Sequence, residues 1–161
     1  MGKLEALDQK DRDILRVIQA KGRIPIVDLA EAVNLTKSPC LQRLRRLERL
    51  GYITGYRAVL DPHKIDQGYL VYVQIKLDNT GRKALESFNK AVQRVPEILA
   101  CHMLSGGYDY LLKIRCANMK AFRELLGDAI ADLPHVNQTI SFPVMEEVKE
   151  TTLMVIQDAD D

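Results

Sequence analysis

The feature that most constrains how this chain can fold is an apolar stripe in the third of three short predicted helices. Four leucines recur there at helical spacing: Leu41, Leu44, Leu47 and Leu50. Such a stripe must pack against other helices to leave water. Thr36 is a suitable N-cap, Pro39 falls in the first turn, where its missing N–H is harmless, and Gly51 stops the helix. We therefore predict a helix that begins near Lys37 and ends before Gly51.

Two shorter helices are predicted ahead of it, over residues 8–20 and 26–33. Asp8 can cap the first, and Gly22 suits the left-handed conformation that ends it. Asn34 tolerates the same conformation in the turn that follows the second helix. Three short helices with a turn of three to four residues between the second and third are the layout of a helix-turn-helix.

The third predicted helix has the side chains of a DNA reader, because a helix fits the major groove and its first residues reach base edges. The residues predicted to contact DNA lie at its start or off the leucine stripe: Lys37, Ser38, Cys40, Leu41, Gln42, Arg43, Arg45, Arg46 and Arg49. We expect Arg45, Arg46 and Arg49 to reach phosphates, which supply affinity while base contacts supply specificity. Residues 52–60 are β-rich and predict a short hairpin or wing. Arg57 in it either touches the DNA backbone or is an ordinary exposed strand residue.

Charge divides the chain at the same place as the secondary structure. Residues 1–64 hold 13 Lys and Arg against 8 Asp and Glu, whereas residues 65–161 hold 10 against 14. A basic front half joined to an acidic back half indicates two modules, one of which meets a polyanion. We predict a DNA-binding domain over 1–61, a linker over 62–68 that contains Pro62, and a second domain over 69–161.

The second module alternates strands and helices, which predicts an α+β chain with a ferredoxin-like βαββαβ domain. Its predicted strands are 69–77, 98–104, 108–116 and 137–148, with a possible fifth at 153–156, and its helices lie within 81–95 and 119–133. Pro143 cannot donate to a strand ladder, so we expect an edge or a bulge there. We expect the apolar face of Val71, Val73 and Ile75 to be left uncovered by the helices and to be buried against a second copy of the chain. A two-fold dimer also suits a helix-turn-helix.

Other classes of protein are disfavoured. No apolar run is long enough to span a membrane, and Met1–Glu5 lack the apolar core of a secretory signal, so we expect a cytoplasmic protein. Three widely spaced cysteines, Cys40, Cys101 and Cys116, argue against disulfides or zinc. The histidines match no metal spacing, and no nucleophile or phosphate-loop motif is present. We expect no catalytic residue, no metal, no cofactor and no enzymatic activity.

Several motifs occur together in an order typical of one family. They are Leu7-Asp8, Ser38-Pro39-Cys40-Leu41, Ser105-Gly106-Gly107-Tyr108-Asp109 and Met145-Glu146-Glu147-Val148-Lys149. The sequence resembles the Lrp/AsnC, or feast/famine, transcription regulators over nearly its whole length, and most closely their leucine-responsive branch. The resemblance implies an ACT-like second domain, dimers that form through their sheets and assemble further, commonly to octamers, and DNA that bends around the assembly.

The resemblance also implies an effector, a free amino acid bound in a cleft between dimers. Carried onto this sequence, the cleft residues are Leu104, Gly106, Gly107, Tyr108, Asp109, Met119, Thr139, Ile140, Ser141 and Phe142. Asp109 either accepts from the ligand ammonium or orients its own loop. Gly106 and Gly107 let backbone N–H groups approach a carboxylate, or simply form a hairpin turn. Leucine, methionine or another apolar amino acid is the expected ligand.

Three functions stay open at this point. The leading one is a DNA-binding regulator whose DNA affinity or assembly an amino acid modulates. The second is an architectural, nucleoid-type protein with little effector control, since the same helix-turn-helix serves both. The third is an enzyme or enzyme-regulatory subunit that uses the ACT-like module for feedback, for which we find no catalytic constellation.

Overall fold

The computed structural model describes residues 6–158, which form two compact units. One comprises residues 6–59 together with 150–158, and the other residues 60–149. Met1–Glu5, on which the prediction of no secretory signal rests, lie outside the described residues, as do residues 159–161 of the predicted second domain. None of the helices in the described part of the chain is long and apolar enough to cross a membrane.

The first unit contains the three predicted helices. They are α1 (Gln9–Lys21), α2 (Ile26–Ala32) and α3 (Lys37–Arg49). A capping box starts α1: the Asp8 carboxylate accepts from the N–H of Asp11, and the Asp11 side chain accepts from the N–H of Asp8. Gly22, at φ 64°, ends the helix. Thr36 occupies the N-cap position of α3, but its side chain makes no capping hydrogen bond.

The three helices enclose a small core of their own. Its buried members are Ile14, Ile18, Leu29, Ala30, Val33, Cys40 and Leu47. Residues 52–60, predicted as a short hairpin or wing, form no strand within the described part of the chain. A strand requires a partner to take its backbone groups, and no other described segment of the chain pairs with this one.

The second unit confirms the ferredoxin-like arrangement. Its strands are β1 (Tyr69–Leu77), β2 (Ile98–Met103), β3 (Tyr110–Cys116) and β4 (Val136–Pro143), and its helices are α4 (Arg82–Val92) and α5 (Met119–Leu125). The strands form an antiparallel sheet in the order β2-β3-β1-β4. A 3-10 turn, Pro62–Ile65, precedes the sheet, and a π-helical turn, Leu126–Ile130, continues α5.

Strand β4 is shorter than predicted and lies at an edge of the sheet. It ends at Pro143, in agreement with the edge position expected there, and does not continue to residue 148. Residues 153–156 join no strand of the described sheet, so the possible fifth strand is wrong. The ring of Pro143 removes the N–H that a longer ladder would need.

The two faces of the sheet are the reverse of those predicted. Val71, Val73 and Ile75 are completely buried beneath the helices, against Phe88 and Phe122. Alternation therefore turns the even-numbered β1 residues to the uncovered face. Their β4 partners follow from the register, which sets Tyr72 opposite Phe142, Gln74 opposite Ile140 and Lys76 opposite Gln138. The uncovered face consequently carries both polar and apolar side chains, and its apolar residues Ile140 and Phe142 are 45% and 46% exposed.

The C-terminal segment lies with the first unit and not, as predicted, with the second. The Gln19 side chain donates to the carbonyl of Met154 at 2.8 Å and accepts from its N–H at 3.0 Å. Arg16 donates to the carbonyl of Ile156 at 2.6 Å and to the carboxylate of Asp158 at 2.7 Å. Because most of these bonds go to backbone groups, side-chain pattern alone could not reveal that residues 150–158 cover α1.

Candidate functional site

The outward face of α3 presents a compact set of polar and basic side chains. The exposed ones are Lys37, Ser38, Gln42, Arg45 and Arg49. Leu41 is partly exposed beside them. These residues belong to the set predicted to contact DNA, and they combine amide and hydroxyl groups near the start of the helix with guanidinium groups toward its end. Such a face can hydrogen-bond base edges at one end and phosphates at the other.

Cys40 does not belong to this face. Its side chain is 0% exposed and lies in the helical core, and burial raises the pKa of its thiol. The prediction that it contacts DNA is therefore corrected. Position 40 lies seven residues, about two helical turns, before the buried Leu47, so the two side chains lie on the same buried side of α3. Leu41, one residue further along, lies at the edge of that side.

Arg43 and Arg46 point toward α1. Arg43 donates to the carboxylates of Asp8 at 2.6 Å and Asp11 at 2.9 Å, and Arg46 donates to the other oxygen of Asp11 at 2.9 Å. The Asp11 side chain is 1% exposed. These ion pairs, which we call the Asp11 cluster (Asp8, Asp11, Arg43 and Arg46), fix α3 against α1. Both arginines were predicted to contact DNA, and in the structure their guanidinium groups are paired with these carboxylates.

The electrostatics of the Asp11 cluster are consistent with charged partners. Burial raises the pKa of Asp8, but the hydrogen bonds from Asp11 N–H and Arg43 outweigh it, and the net pKa is below the ordinary value. The hydrogen bonds to Asp8 and Asp11 raise the pKa of Arg43. The sequence signal for this cluster was the pair of carboxylates three residues apart at the start of α1, of which only Asp8 was interpreted, as a helix cap.

The loop between β2 and β3 is tied to the end of β1. Leu104 N–H donates to the Asp109 carbonyl at 2.9 Å, and Asp109 N–H donates to the Ile75 carbonyl at 2.9 Å. The Asp109 carboxylate accepts from the N–H of Leu77 at 2.8 Å and from Lys76 Nζ at 3.3 Å. Two roles were considered for Asp109, and these bonds agree with the one in which it orients its own loop. Gly106 has a φ of 150°, which L side chains rarely adopt.

The other predicted effector residues are not all brought to this loop. Thr139 and Ser141 pair with Ile75 and Val73 and so share the helix-covered face, whereas Ile140 and Phe142 lie on the uncovered face. Met119 accepts a hydrogen bond on its sulfur from the Tyr69 hydroxyl at 3.3 Å. Tyr69 lies at the start of β1, whereas the loop is hydrogen-bonded near the end of that strand. At the usual rise per residue of a strand, these two points are about 20 Å apart.

A shallow depression of about 230 Å³ lies beside the loop on the uncovered face of the sheet. It is lined by Gln74, Lys76, Gly107, Tyr108, Gln138 and Ile140. Gly107, Tyr108 and Ile140 were predicted, whereas Gln74, Lys76 and Gln138 were missed. The strand alternation of β1 would have indicated the first two, had the faces been assigned correctly.

The described residues hold no cluster of three or more His, Cys, Asp and Glu side chains that could bind a metal ion. Burial raises the pKa of the Cys101 thiol to about 11, so this thiol stays protonated near neutral pH.

Comparison with known proteins covers both units. Residues 7–54 match the winged helix-turn-helix DNA-binding family, and residues 70–154 match the Lrp/AsnC ligand binding domain. The leucine-responsive regulatory protein of Klebsiella pneumoniae is 49% identical over 151 residues, which span 94% of this chain and 92% of that protein.

Two solved structures are similar along almost the whole chain. A transcriptional regulator of Neisseria meningitidis in complex with L-Met superposes with a TM-score of 0.88 at 35% identity, covering 93% of this chain and 97% of that one. An AsnC family transcriptional regulator from Agrobacterium tumefaciens has a TM-score of 0.88 at 31% identity, covering 92% and 97%.

Proposed function

The chain belongs to the Lrp/AsnC family of DNA-binding transcription regulators, and from that premise we propose that a free apolar amino acid controls how it binds DNA. The observation that carries the proposal is the exposed face of α3, which the ion pairs of the Asp11 cluster connect to α1. A reading helix must be fixed on its scaffold for its side chains to distinguish base edges.

The roles of the side chains follow from where they lie. Lys37, Ser38 and Gln42 occupy the first half of α3 and would read bases, while Arg45 and Arg49 would neutralise phosphates. Arg43 and Arg46 would act through α3 by positioning it, since their guanidinium groups already serve carboxylates.

The effector site would be shared between copies of the chain. The loop at 104–109 and Met119 lie at opposite ends of β1, so one chain cannot bring them to the same ligand. A second copy can supply the missing side, in keeping with a cleft between dimers. The similar regulator of Neisseria meningitidis is in complex with L-Met, which supports leucine, methionine or another apolar amino acid as the ligand here.

The uncovered face of the sheet supports a homodimer. Ile140 and Phe142 lie half-exposed on it beside Tyr72, and burying them against the same patch of a second copy would be favourable. We propose further assembly of dimers, to an octamer, in the cytoplasm. The effector would shift the assembly or DNA-bound equilibrium by binding one state more tightly than another.

The test is fluorescence anisotropy of the full chain on duplex DNA taken from upstream of its own gene, with leucine or methionine titrated in. Arg45→Ala with Arg49→Ala should weaken binding to every sequence and reduce its salt dependence. Arg82→Ala with Lys83→Ala is the matched control, since both side chains are exposed on α4 of the other unit. We expect specific binding that one of the amino acids changes.

The outcomes separate the open functions. Specific binding that no apolar amino acid alters at millimolar concentration would contradict effector control and favour the architectural function. No binding to any DNA at low salt would contradict the proposal as a whole.

A further inference from the structure

The first unit contains a second basic feature, separate from the face of α3. A groove of about 580 Å³ runs between the end of α1 with its following turn and the extended segment 56–59. Three of its lining residues are cationic: Lys21, Arg23 and Arg57. The described residues that line it include no carboxylate, so its walls carry one sign of charge.

The three cations are available to a ligand. All three side chains are exposed, and within the described part of the chain none of them forms an ion pair. Isolated exposed lysines and arginines are ordinary solvated groups. Three that converge on one concave surface without a neutralising acid raise the local concentration of anions.

The groove lies beside the reading helix. One of its walls includes Tyr56, whose hydroxyl donates to the Glu48 carboxylate of α3 at 2.8 Å. Glu48 and Arg49 end α3. A helix of 13 residues is about 20 Å long, whereas the major groove is about 12 Å wide. When the start of α3 lies against the bases, the end of the helix lies over the flanking phosphate strand. Tyr56 and the groove lie beside that end of the helix.

We propose that this groove is a second DNA-contact site that binds the phosphodiester backbone flanking the bases read by α3. The inference rests on the proposed DNA-binding function and adds residues to it. Arg23 and Arg57 supply planar guanidinium groups that match phosphate oxygens, and Lys21 supplies a point charge. Contacts of this kind add affinity without reading sequence.

The experiment compares two triple variants of the full chain in anisotropy titrations between about 50 and 200 mM salt. The test variant is Lys21→Ala, Arg23→Ala, Arg57→Ala. The control removes the same charge from exposed positions of α4: Arg82→Ala, Lys83→Ala, Lys90→Ala. Each phosphate contact contributes about 0.9 to the logarithmic salt slope. If each cation meets one phosphate, the test variant loses about 2.7 of slope for each chain bound, or about 5.4 for a dimer that binds with both chains. Over this salt range its fall in affinity is then roughly 40-fold smaller per bound chain than that of the unmodified protein.

Additional measurements make each outcome decisive. The variant with Arg23→Lys and Arg57→Lys should retain most of the slope, because the charge remains. Equal slopes for the test and control triples would overturn the inference, and the unmodified chain binding no DNA would instead contradict the proposed function. A change in the mass of the test variant, measured by light scattering, would also overturn it, since the groove would then hold a second copy of the chain and not DNA.

Discussion

Replacing Asp11 with Asn should destabilise the first unit much more than its position in an exposed helix suggests. Its side chain is 1% exposed and accepts from both Arg43 and Arg46 at 2.9 Å. Removing one partner of a fully buried ion pair costs about 3–5 kcal/mol. Arg43 and Arg46 have side chains 32% and 29% exposed, so water recovers part of that loss. We therefore expect a loss of about 2–4 kcal/mol in the free energy of unfolding of this unit, including a smaller part from the capping box.

Hydrogen exchange followed by mass spectrometry is the suitable assay, because it reports on each unit separately. The amides of α1 and α3 should lose protection in Asp11→Asn, while those of β1 and β3 should not change. Asp13→Asn is the matched control on the same helix, since Asp13 forms a half-exposed pair with Arg16 at 3.1 Å. That control should cost under about 1 kcal/mol. An Asp11 variant no less protected than the Asp13 variant would refute the reasoning.

Three further outcomes are expected. The pKa of Asp8 is lower in the folded protein than in the unfolded chain. Its pairing with Arg43 therefore stabilises the first unit above about pH 4, and this contribution is lost as the pH falls through the pKa of the folded state. Asp8→Asn should accordingly flatten the acid side of a profile of stability against pH measured by circular dichroism. Phe142→Glu should lower the mass measured by light scattering because it places a charge on the uncovered sheet face through which the proposed dimer forms, whereas Ile65→Glu, similarly exposed on the 3-10 turn, should leave the mass unchanged. Cys101, whose pKa is raised to about 11 by burial, should react with a thiolate-selective reagent at pH 7.5 far more slowly than the same reagent reacts with free cysteine, and a comparable rate would contradict its burial.

The architecture could be predicted from the sequence because the elements carry their own signals. The leucine stripe of α3, the glycine at the end of α1 and the alternating residues of β1 each reflect a local period or a local conformation. The order of strands and helices then limits the second unit to very few folds. Lys37, Ser38, Gln42, Arg45 and Arg49 could be identified in the same way, as the polar side of a strongly amphipathic helix.

Features that depend on a distant partner could not be predicted in this way. Arg43 and Arg46 have the same chemistry as Arg45, and only the structure shows that their guanidinium groups pair with Asp11. The prediction assigned the two faces of β1 the wrong way round. An apolar face such as Val71, Val73 and Ile75 can pack equally well against a layer of helices or against a second sheet, so its composition did not indicate which one covers it. The set of effector residues, taken over by resemblance, spans two ends of β1 and two faces of β4 and stays a prediction for the assembled protein.

The order in which this chain is synthesised bears on how its DNA-binding unit is completed. The three helices are synthesised before the sheet unit, but the segment that covers α1 through Gln19, Arg16 and Arg12 is synthesised only after it. A fragment cut after residue 59 would keep the reading helix and expose these three side chains to water. Isolated helix-turn-helix fragments of this protein are therefore poor substitutes for the native unit, and an affinity tag fused after residue 158 would emerge beside α1.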